Sequence, residues 1–439
     1  MQAGVEPRLH HEQVVVARLG VNVPCLALDQ VTQVTDPKGL HTTYAYNGFG
    51  DLTGQVSPDS GSATFTVDAA GNRKTRTDAR GVTATYSYDA LNRLVGIAYP
   101  DPNLDVGYHY DTAPAVCASD ERFAKLAEQG LTALSVPESL GGLGLGDVDW
   151  SLMNQELGYF GIPDSLADTA YLAAALLAAL PEAHPLRSTW LTRIADGSVR
   201  IALGHPVNPW VADARLADLL LLAHPTPEGT EWHALTPDQV QHTACPSIDA
   251  SRRLVTVNWT PTDATRVAMA VEGQALADDL LDRGALCVSA QLLGLAQRML
   301  DLTVDYAAQR KQFGKPIGSF QAVKHQLADV VTKIEFAKPV LFRAASAMAL
   351  GESQRSVRIS HAKLACADAG WFSARKAIQV HGAMGYTWEV DLQMFMKRAW
   401  VLDAAWGDRA FHKQRLAEAL MADDSLLGPG ATFPTPTTA

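Results

Sequence analysis

Hydrophobic residues change their spacing along this chain of 439 residues, and each spacing predicts a different kind of structure. In the first quarter, polar and apolar residues alternate in short runs such as Thr83–Tyr88, with Asp, Asn and Gly between the runs. This period of two is typical of β-strands joined by tight turns. From residue 276 to 425, apolar residues recur at intervals of three, four and seven. That period predicts long amphipathic helices packed in a bundle.

The segment between these two parts mixes short helices with a few strands. Prolines and paired glycines divide residues 120–199 into helical patterns rich in Ala and Leu. Two apolar runs further on, Leu219–Ala223 and Leu254–Trp259, predict strands of a small β domain. In the second long helix, Pro339 predicts a kink or an end. The pattern as a whole predicts a multidomain protein that is mainly α with β.

The first quarter also repeats itself. Four dipeptides recur every 21 or 22 residues: Tyr46-Asn47, Val67-Asp68, Tyr88-Asp89 and Tyr110-Asp111. The pattern resembles the YD repeats of RHS-type proteins, whose hairpins stack into a strip; a generic β-meander is the alternative. About three and a half units leave open strand edges, because such repeats need stacked neighbours and caps. We interpret the abrupt junction near residues 113–117 as an aberrant fusion, and a purposeful two-domain protein is the other interpretation.

Composition excludes several classes of protein. Hydrophobic residues make up 47% of the chain, which is enough for hydrophobic cores. Charged residues make up 19%, which is too few for a largely disordered chain. A formal charge of −11 without a basic stripe argues against a nucleic-acid partner. The longest apolar run, Ala170–Leu180, is too short to span a bilayer, and no secretory signal is evident. Five scattered cysteines predict free thiols rather than disulfides or a metal site. We expect a cytoplasmic protein.

Two loops carry the most informative residues. Arg310–Gln321, with the sequence RKQFGKPIGSFQ, joins two long helical patterns, and Gln379–Glu389, with the sequence QVHGAMGYTWE, follows some sixty residues later. Arg presents a planar donor fork to phosphate, Phe offers a stacking face, and Gly lets a backbone approach a ligand closely. With the earlier segment Leu126–Gly144, these loops resemble the acyl-CoA dehydrogenase family, from about Asp120 to about Ala422.

The resemblance implies a fold and a domain order. The family has helices, then a small β domain, then a four-helix bundle. We expect five parts: a YD-repeat-like β strip at 1–115, a truncated N-terminal helical domain at 116–199, an abridged β domain at 200–268, a C-terminal helical bundle at 269–425 and a disordered tail at 426–439. The family's flavin-binding strand and loop should lie near Ile201–Trp210, and those residues do not match the family's pattern.

The resemblance also implies a cofactor, a substrate and partners. It implies FAD, a CoA thioester, an electron-transfer acceptor, and an oligomer in which these loops reach a neighbouring subunit's flavin. The family's FAD-contacting positions are occupied here by Arg310, Gln312, Phe313, Gln321, Gln379 and Gly382. Arg310 would pair with the pyrophosphate and Phe313 would pack on the adenosine half. The reaction implied is α,β-dehydrogenation, in degradation of fatty acids or steroid side chains.

The proton-abstracting base of the family is harder to place. In many members it is a Glu late in the bundle, where this chain has Trp406 or Gly407. In others the Glu lies on the first bundle helix, where this chain has Gly284 with Asp282 nearby. Asp282 is the catalytic candidate, with a solvated helix-start carboxylate as the alternative, and Asp408 is a second candidate. Two hypotheses follow. The chain is either a dehydrogenase or the base-lacking subunit of a pair of unlike dehydrogenase subunits. The alternative is a catalytically inactive fusion or scaffold protein.

Overall fold

The computed structural model describes residues 32–35, 39–48, 51–68, 72–88, 94–107, 120–387 and 389–422. The chain forms two packed units, Met1–Ala113 and Pro114–Ala439. The expected tail at 426–439 lies outside the described residues. The three described cysteines, Cys245, Cys287 and Cys366, are free thiols. No helix in the described part of the chain is both long and apolar enough to cross a membrane.

The first unit is an eight-stranded antiparallel sheet whose strands lie in chain order. Its strands are β1 Gln33–Thr35, β2 His41–Tyr46, β3 Leu52–Ser57, β4 Gly61–Val67, β5 Arg73–Thr77, β6 Thr83–Tyr88, β7 Leu94–Ala98 and β8 Val106–Gly107. Repeated aspartates close the turns, as where Asp78 accepts hydrogen bonds from the backbone N–H groups of Arg80 and Val82 at 2.9 and 3.0 Å. Few side chains are buried, among them Ala63, Phe65 and Ala84.

The second unit opens with short helices. They are α1 Asp120–Glu128, α2 Asp147–Tyr159, α3 Ala174–Ala179 and α4 Pro185–Ala195. A π-helical segment, Asp168–Ala173, leads directly into α3. The apolar run predicted from the sequence forms this buried segment, and Thr169 ties it to the following strand by accepting from the Ile201 N–H at 3.0 Å. The helical prediction for residues 120–199 is confirmed.

Two small sheets follow. Their strands are β9 Ile201–Gly204, β10 Val211–Ala212, β11 Leu219–Thr226, β12 Gly229–Leu235, β13 Gln241–Ala244, β14 Leu254–Asn258 and β15 Arg266–Ala268. One sheet has the order β15-β12-β11-β9, with β9 and β11 parallel, and the other has β10-β14-β13. Leu219 and Leu221 pack against the helices, whereas Leu220 and Leu222 pack between the sheets. A strand buried on both faces explains the unbroken leucine run.

Three long helices and two shorter ones form the C-terminal bundle. They are α5 Ala270–Gln309, α6 Gln321–Ala349, α7 Arg355–His381, α8 Leu392–Ala404 and α9 Arg409–Ala422. Helix α5 is central and crosses α2 closely, because a Cβ on Gly158 would lie 2.1 Å from the Gln291 carbonyl oxygen. On the other side of the crossing, a Cβ on Gly294 would lie 2.0 Å from the Gln155 oxygen. The fold class predicted from the sequence is confirmed.

Pro339 does not end a helix. Helix α6 continues for ten residues beyond it, to Ala349. Proline removes one backbone hydrogen bond, but the residues that follow, including Leu341, Ala344 and Ala345, are fully buried in the bundle core. Their burial offsets the lost bond, so an end of the helix at this position is the wrong interpretation of the sequence.

Candidate functional site

The loop between α5 and α6 is a small hairpin built from β16 Lys311–Gln312 and β17 Lys315–Pro316. Arg310 fixes its base, because the Arg310 N–H donates to Tyr306 at 2.8 Å and its carbonyl accepts from Ile317 at 2.8 Å. Phe313 at the tip has a φ of 52° and is 92% exposed. A bulky residue at positive φ is strained, so the hairpin holds an aromatic ring out in solvent.

The second loop lies beside the base of this hairpin. Gln379 is exposed in the last turn of α7, and Gly382 ends that helix with a φ of 61° and open space around it. Between them, His381 is buried and stacks on Tyr306 with ring centroids 4.2 Å apart. The Tyr306 hydroxyl donates to the His381 carbonyl at 3.4 Å. His381 is thus a packing residue, and Tyr306 links the two loops.

The two loops fit the anionic, adenosine-bearing half of FAD. Arg310, Gln312, Phe313, Gln321, Gln379 and Gly382 are all solvent-exposed. They offer a guanidinium, amides, an aromatic face and a bare backbone to a ligand or a neighbouring chain. Arginine side chains bind phosphate bidentately, and an exposed ring can stack on an adenine. The geometry therefore suits the role that the sequence suggests.

Two backbone donors of the predicted flavin-binding segment are already engaged within the described part of the chain. In the segment Ile201–Trp210, the backbone N–H groups of Val207 and Asn208 both donate to His205, at 3.2 and 2.9 Å. Nε2 of His205 in turn hydrogen-bonds the Ala277 carbonyl at 3.0 Å. Burial lowers the pKa of His205 to about 4, so its imidazole is neutral at physiological pH. Because these groups bind one another, we derive no reaction step through a flavin held by this chain alone.

Gly284 and Trp406, which the resemblance predicts at the family's base positions, contact each other in this structure. A Cβ placed on Gly284 would lie 2.1 Å from the Trp406 indole. Trp406 is 7% exposed, so its ring covers the bare backbone of α5 at that point. Neither the Trp406 indole nor the glycine at position 284 can accept a proton at neutral pH, so these two predicted base positions provide no base.

The Trp406 loop is held from several sides. The Trp406 N–H donates to the Asn208 side chain at 2.8 Å, and its carbonyl hydrogen-bonds His412 at 2.9 Å. Nζ of the buried Lys363 donates to the carbonyl of Gly407 at 3.1 Å. Trp406 and Gly407 have φ angles of 55° and 88°, a left-handed turn that these bonds maintain. The indole is therefore a fixed part of the site.

Asp282 joins three helices rather than facing solvent. It is 1% exposed and lies well inside α5, so the solvated helix-start interpretation is wrong. One carboxylate oxygen accepts from the Ser356 hydroxyl at 2.7 Å and lies 3.4 Å from Arg355. The other lies 2.7 Å from Arg415. Ser356 hydrogen-bonds one oxygen and arginines from α7 and α9 lie beside both, so a catalytic role for Asp282 would require breaking these contacts.

Asp408, the second candidate, occupies the start of α9. It is exposed, and its side chain accepts from the Phe411 N–H at 2.8 Å. This is the bond of a helix cap.

Beside Trp406 a polar cavity of about 60 Å³ opens between the first helices, the small sheets and the bundle. Cys287, Val288 and Gln291 line it from α5, one to two turns beyond Gly284. Asp168, at the start of the π-helical segment, lines it from another side. Burial raises the pKa of the Asp168 carboxyl to about 6. The cavity therefore adjoins Trp406, one of the predicted base positions, and contains a carboxyl group whose pKa is raised by burial.

Of the residues that line this cavity, the sequence pointed to Trp406 but not to Asp168 or Arg252. Asp168 carries a weak signal, since it is a single carboxylate at the edge of the apolar run Ala170–Leu180. Arg252 lies in a segment without a recognisable motif, and only the fold brings it into the same cavity wall as residues of α5. The residues predicted to contact FAD are exposed on the two loops that Tyr306 links, whereas the predicted base positions Gly284 and Trp406 contact each other elsewhere in the bundle.

Comparison with known proteins identifies the class. The family model for the acyl-CoA dehydrogenase N-terminal domain matches residues 109–198, and the model for the C-terminal domain matches residues 272–421. RHS Repeat models match residues 27–62 and 67–103. Among solved structures, butyryl-CoA dehydrogenase from Megasphaera elsdenii has the same fold, with a TM-score of 0.65 at 21% identity over 70% of this chain and 91% of that one.

Acyl-CoA dehydrogenase IpdE2 of Mycobacterium tuberculosis is 34% identical over 295 residues, which are 65% of this chain and 83% of that protein. Acyl-CoA dehydrogenase FadE34 of the same organism is 32% identical over 63% of this chain and 39% of its own length. The ChsE4-ChsE5 complex from that organism matches in fold, with a TM-score of 0.62 at 24% identity over 70% and 89% of the two chains. The chain belongs to the acyl-CoA dehydrogenase family, oxidoreductases that act on CH–CH groups, and carries RHS repeats at its N-terminus.

Proposed function

We propose that this chain is an FAD-dependent acyl-CoA dehydrogenase subunit that works with a homologous partner. The observation that carries the proposal is the surface around Tyr306, where Arg310, Phe313, Gln379 and Gly382 are exposed together. We infer that they hold the pyrophosphate and adenosine of an FAD whose ring lies in the neighbouring subunit.

The second part of the proposal concerns the base. FAD, when bound, supplies the acceptor for the β-hydrogen of a CoA thioester, and the protein must remove the α-proton. At the two predicted base positions the chain has Gly284 and Trp406, which contact each other and carry no carboxylate. A partner that carries the late Glu would restore the missing group. The likeness to the ChsE4-ChsE5 complex supports a paired assembly, as does the family's use of unlike subunits.

Titration with FAD tests the cofactor assignment. The Arg310→Ala variant should bind FAD about tenfold or more weakly, because a charge-assisted phosphate contact contributes roughly 1.5–3 kcal/mol. The matched control is Arg215→Ala, since Arg215 is an exposed arginine on the small β domain, outside both loops. Equal FAD affinity in the two variants would count against the assignment.

An inactive scaffold is the second candidate function. It is favoured by Trp406, whose rigid loop closes the base position from within the chain. Under that hypothesis a homologous subunit would form no complex with this chain, or a complex without dehydrogenase activity. Cytoplasmic location and the electron-transfer acceptor stay predictions.

A further inference from the structure

The N-terminal strip, which is the sheet formed by β1 to β8, contains two kinds of strand that alternate. The repeat period of 21 or 22 residues spans two strands, so the odd-numbered strands correspond to one another, and so do the even-numbered strands. Each even strand pairs on its far side with the odd strand that follows it: β2 with β3, β4 with β5 and β6 with β7. These pairs are the interfaces between one repeat and the next.

The register of these interfaces repeats as well. Both residues of a pair advance by 21 positions from one interface to the next, so one rule describes all three interfaces. A strand added to either end of the strip by the same rule would therefore meet a defined partner residue. The three equivalent pairs are Thr43 with Val56, Thr64 with Thr77, and Thr85 with Ala98.

The two ends of the strip carry the next members of this series. By the repeat period, Gly107 in the last even strand follows Thr85, and Thr35 in the first odd strand precedes Val56. Among the described residues, no strand pairs with the outer side of β1 or of β8. The strip thus ends in an even strand that lacks an odd partner and begins with an odd strand that lacks an even partner.

The backbone of β1 is oriented for such a partner. The Tyr44 N–H donates to the Thr32 carbonyl at 2.9 Å, so the backbone groups of Thr32 point toward β2. Backbone groups alternate in direction along a strand. The N–H and C=O of Thr35 therefore face the open side of β1, as the rule of the repeat requires.

Neither end carries the side chains or irregularities that usually protect an open edge. Natural edge strands are often blocked by Lys, Pro or a β-bulge. Strand β1 is Gln33–Thr35 and strand β8 is Val106–Gly107, without a charge or a proline, and both pair with their inner neighbours in regular register. Beside the last strand, Leu104 and Val106 are 61% and 40% exposed. The two ends can therefore approach each other without repulsion between charges on these strands.

We propose that the strips of two copies of this chain join end to end, with β8 of one copy pairing with β1 of the next. Because the sheet has eight strands, β1 of a second copy in the same orientation runs antiparallel to β8, like every other pair in the sheet. Gly107 of one copy lies opposite Thr35 of the next. The contact joins two different surfaces, so it can continue beyond a dimer. It does not depend on the flavin.

Disulfide cross-linking of the full chain tests the pairing. Residues in a hydrogen-bonded antiparallel pair have Cα atoms about 5.5 Å apart, within the range of a disulfide. Thr35→Cys and Gly107→Cys chains, mixed in a glutathione redox buffer at about 100 µM because contacts of this size are weak, should form a covalent dimer. Neither variant alone should form more dimer than the wild-type chain. Ser62→Cys, an exposed position on the inner strand β4, is the control and should not cross-link to Gly107→Cys.

Two results of the cross-linking would overturn the proposal. The first is a mixture that forms no more dimer than the wild-type chain. The second is Thr35→Cys forming as much dimer alone as in the mixture, because β1 would then pair with β1 rather than with β8.

Light scattering at increasing protein concentration provides a second test that needs no cysteine variant. Thr35→Pro removes one backbone donor from the open side of β1, so it should require about 2- to 10-fold higher concentration than the wild-type chain to reach the same mean mass. Thr35→Val is the matched control, because it keeps that donor and loses only the side-chain hydroxyl. Association through the helical bundle is common to all three proteins. The same concentration dependence for Thr35→Pro and Thr35→Val would contradict the proposed contact.

Discussion

Adding one methyl group at Gly284 tests whether Trp406 fills the position of the family's base. In Gly284→Ala the new Cβ would lie 2.1 Å from the indole, far inside van der Waals contact. Trp406 cannot move freely, because Asn208 and His412 hold its backbone. Overpacking of this kind costs about 1–3 kcal/mol. The substitution also gains about 1 kcal/mol of helix propensity, so the net change in the free energy of unfolding should lie between neutral and a loss of about 2 kcal/mol.

Gly370→Ala is the matched control for this variant. Gly370 also lies inside a bundle helix, but its added Cβ would come no closer than 3.3 Å to a Leu292 methyl group. The gain in helix propensity of about 1 kcal/mol is offset at most by a small shift of the Leu292 methyl group, so this variant should be more stable than Gly284→Ala. Urea unfolding of both variants, followed by the circular dichroism of the helices, gives the comparison.

A double-mutant cycle isolates the contact itself. In a Trp406→Gly background the indole is absent and the left-handed turn suits glycine. Gly284→Ala should then become stabilising, so the coupling between the two positions should be about 1–3 kcal/mol. If Gly284→Ala matches Gly370→Ala in the wild-type background, the indole does not occupy the base position and the reasoning is refuted.

Three further predictions follow from the same structure. Asp282→Asn should lower the free energy of unfolding by about 3–5 kcal/mol in urea titrations, because it leaves Arg415 without its buried partner; a neutral effect would show that the pair is not structural. Burial raises the pKa of Asp168 to about 6 from 3.8. Ionisation of Asp168 therefore lowers the free energy of unfolding as the pH rises from 3.8 to 6. Asp168→Asn should therefore be the more stable protein at pH 7, by up to about 3 kcal/mol, and equal at pH 3.5; the reverse order would contradict its burial. Deleting residues 1–113 should leave the melting temperature of the bundle unchanged, and a lowered one would show that the repeats support it.

Much of the fold could be predicted from the sequence because periodicity reports which face of an element is buried. The alternating run Thr83–Tyr88 and the leucines at 219–223 are strands as predicted, and the hairpin after Gln309 lies between two long helices. The continuation of helix α6 beyond Pro339 could not be predicted. The cost of a proline in a helix is local, whereas the packing that offsets it comes from other helices.

Some residues of the candidate site could also be predicted from the sequence, and others could not. The loops at Arg310 and Gln379 are contiguous motifs, so the sequence displays them directly. The cavity is assembled from residues that lie far apart in the chain, such as Asp168 and Arg252, and no spacing rule links them. Asp282 shows the same limit, because its partners Arg355 and Arg415 come from two later helices.

The redox state of bound flavin tests the central claim most directly. The claim is that this chain contributes an FAD-binding surface but no base at either family position. The purified chain with FAD should keep its visible flavin absorbance when an acyl-CoA is added without oxygen. Adding a homologous dehydrogenase subunit that carries the late Glu should bleach the flavin, and Arg310→Ala should weaken that response. Rapid bleaching by the isolated chain that persists in the Asp282→Asn variant would contradict the account, since the base would then lie elsewhere in this chain.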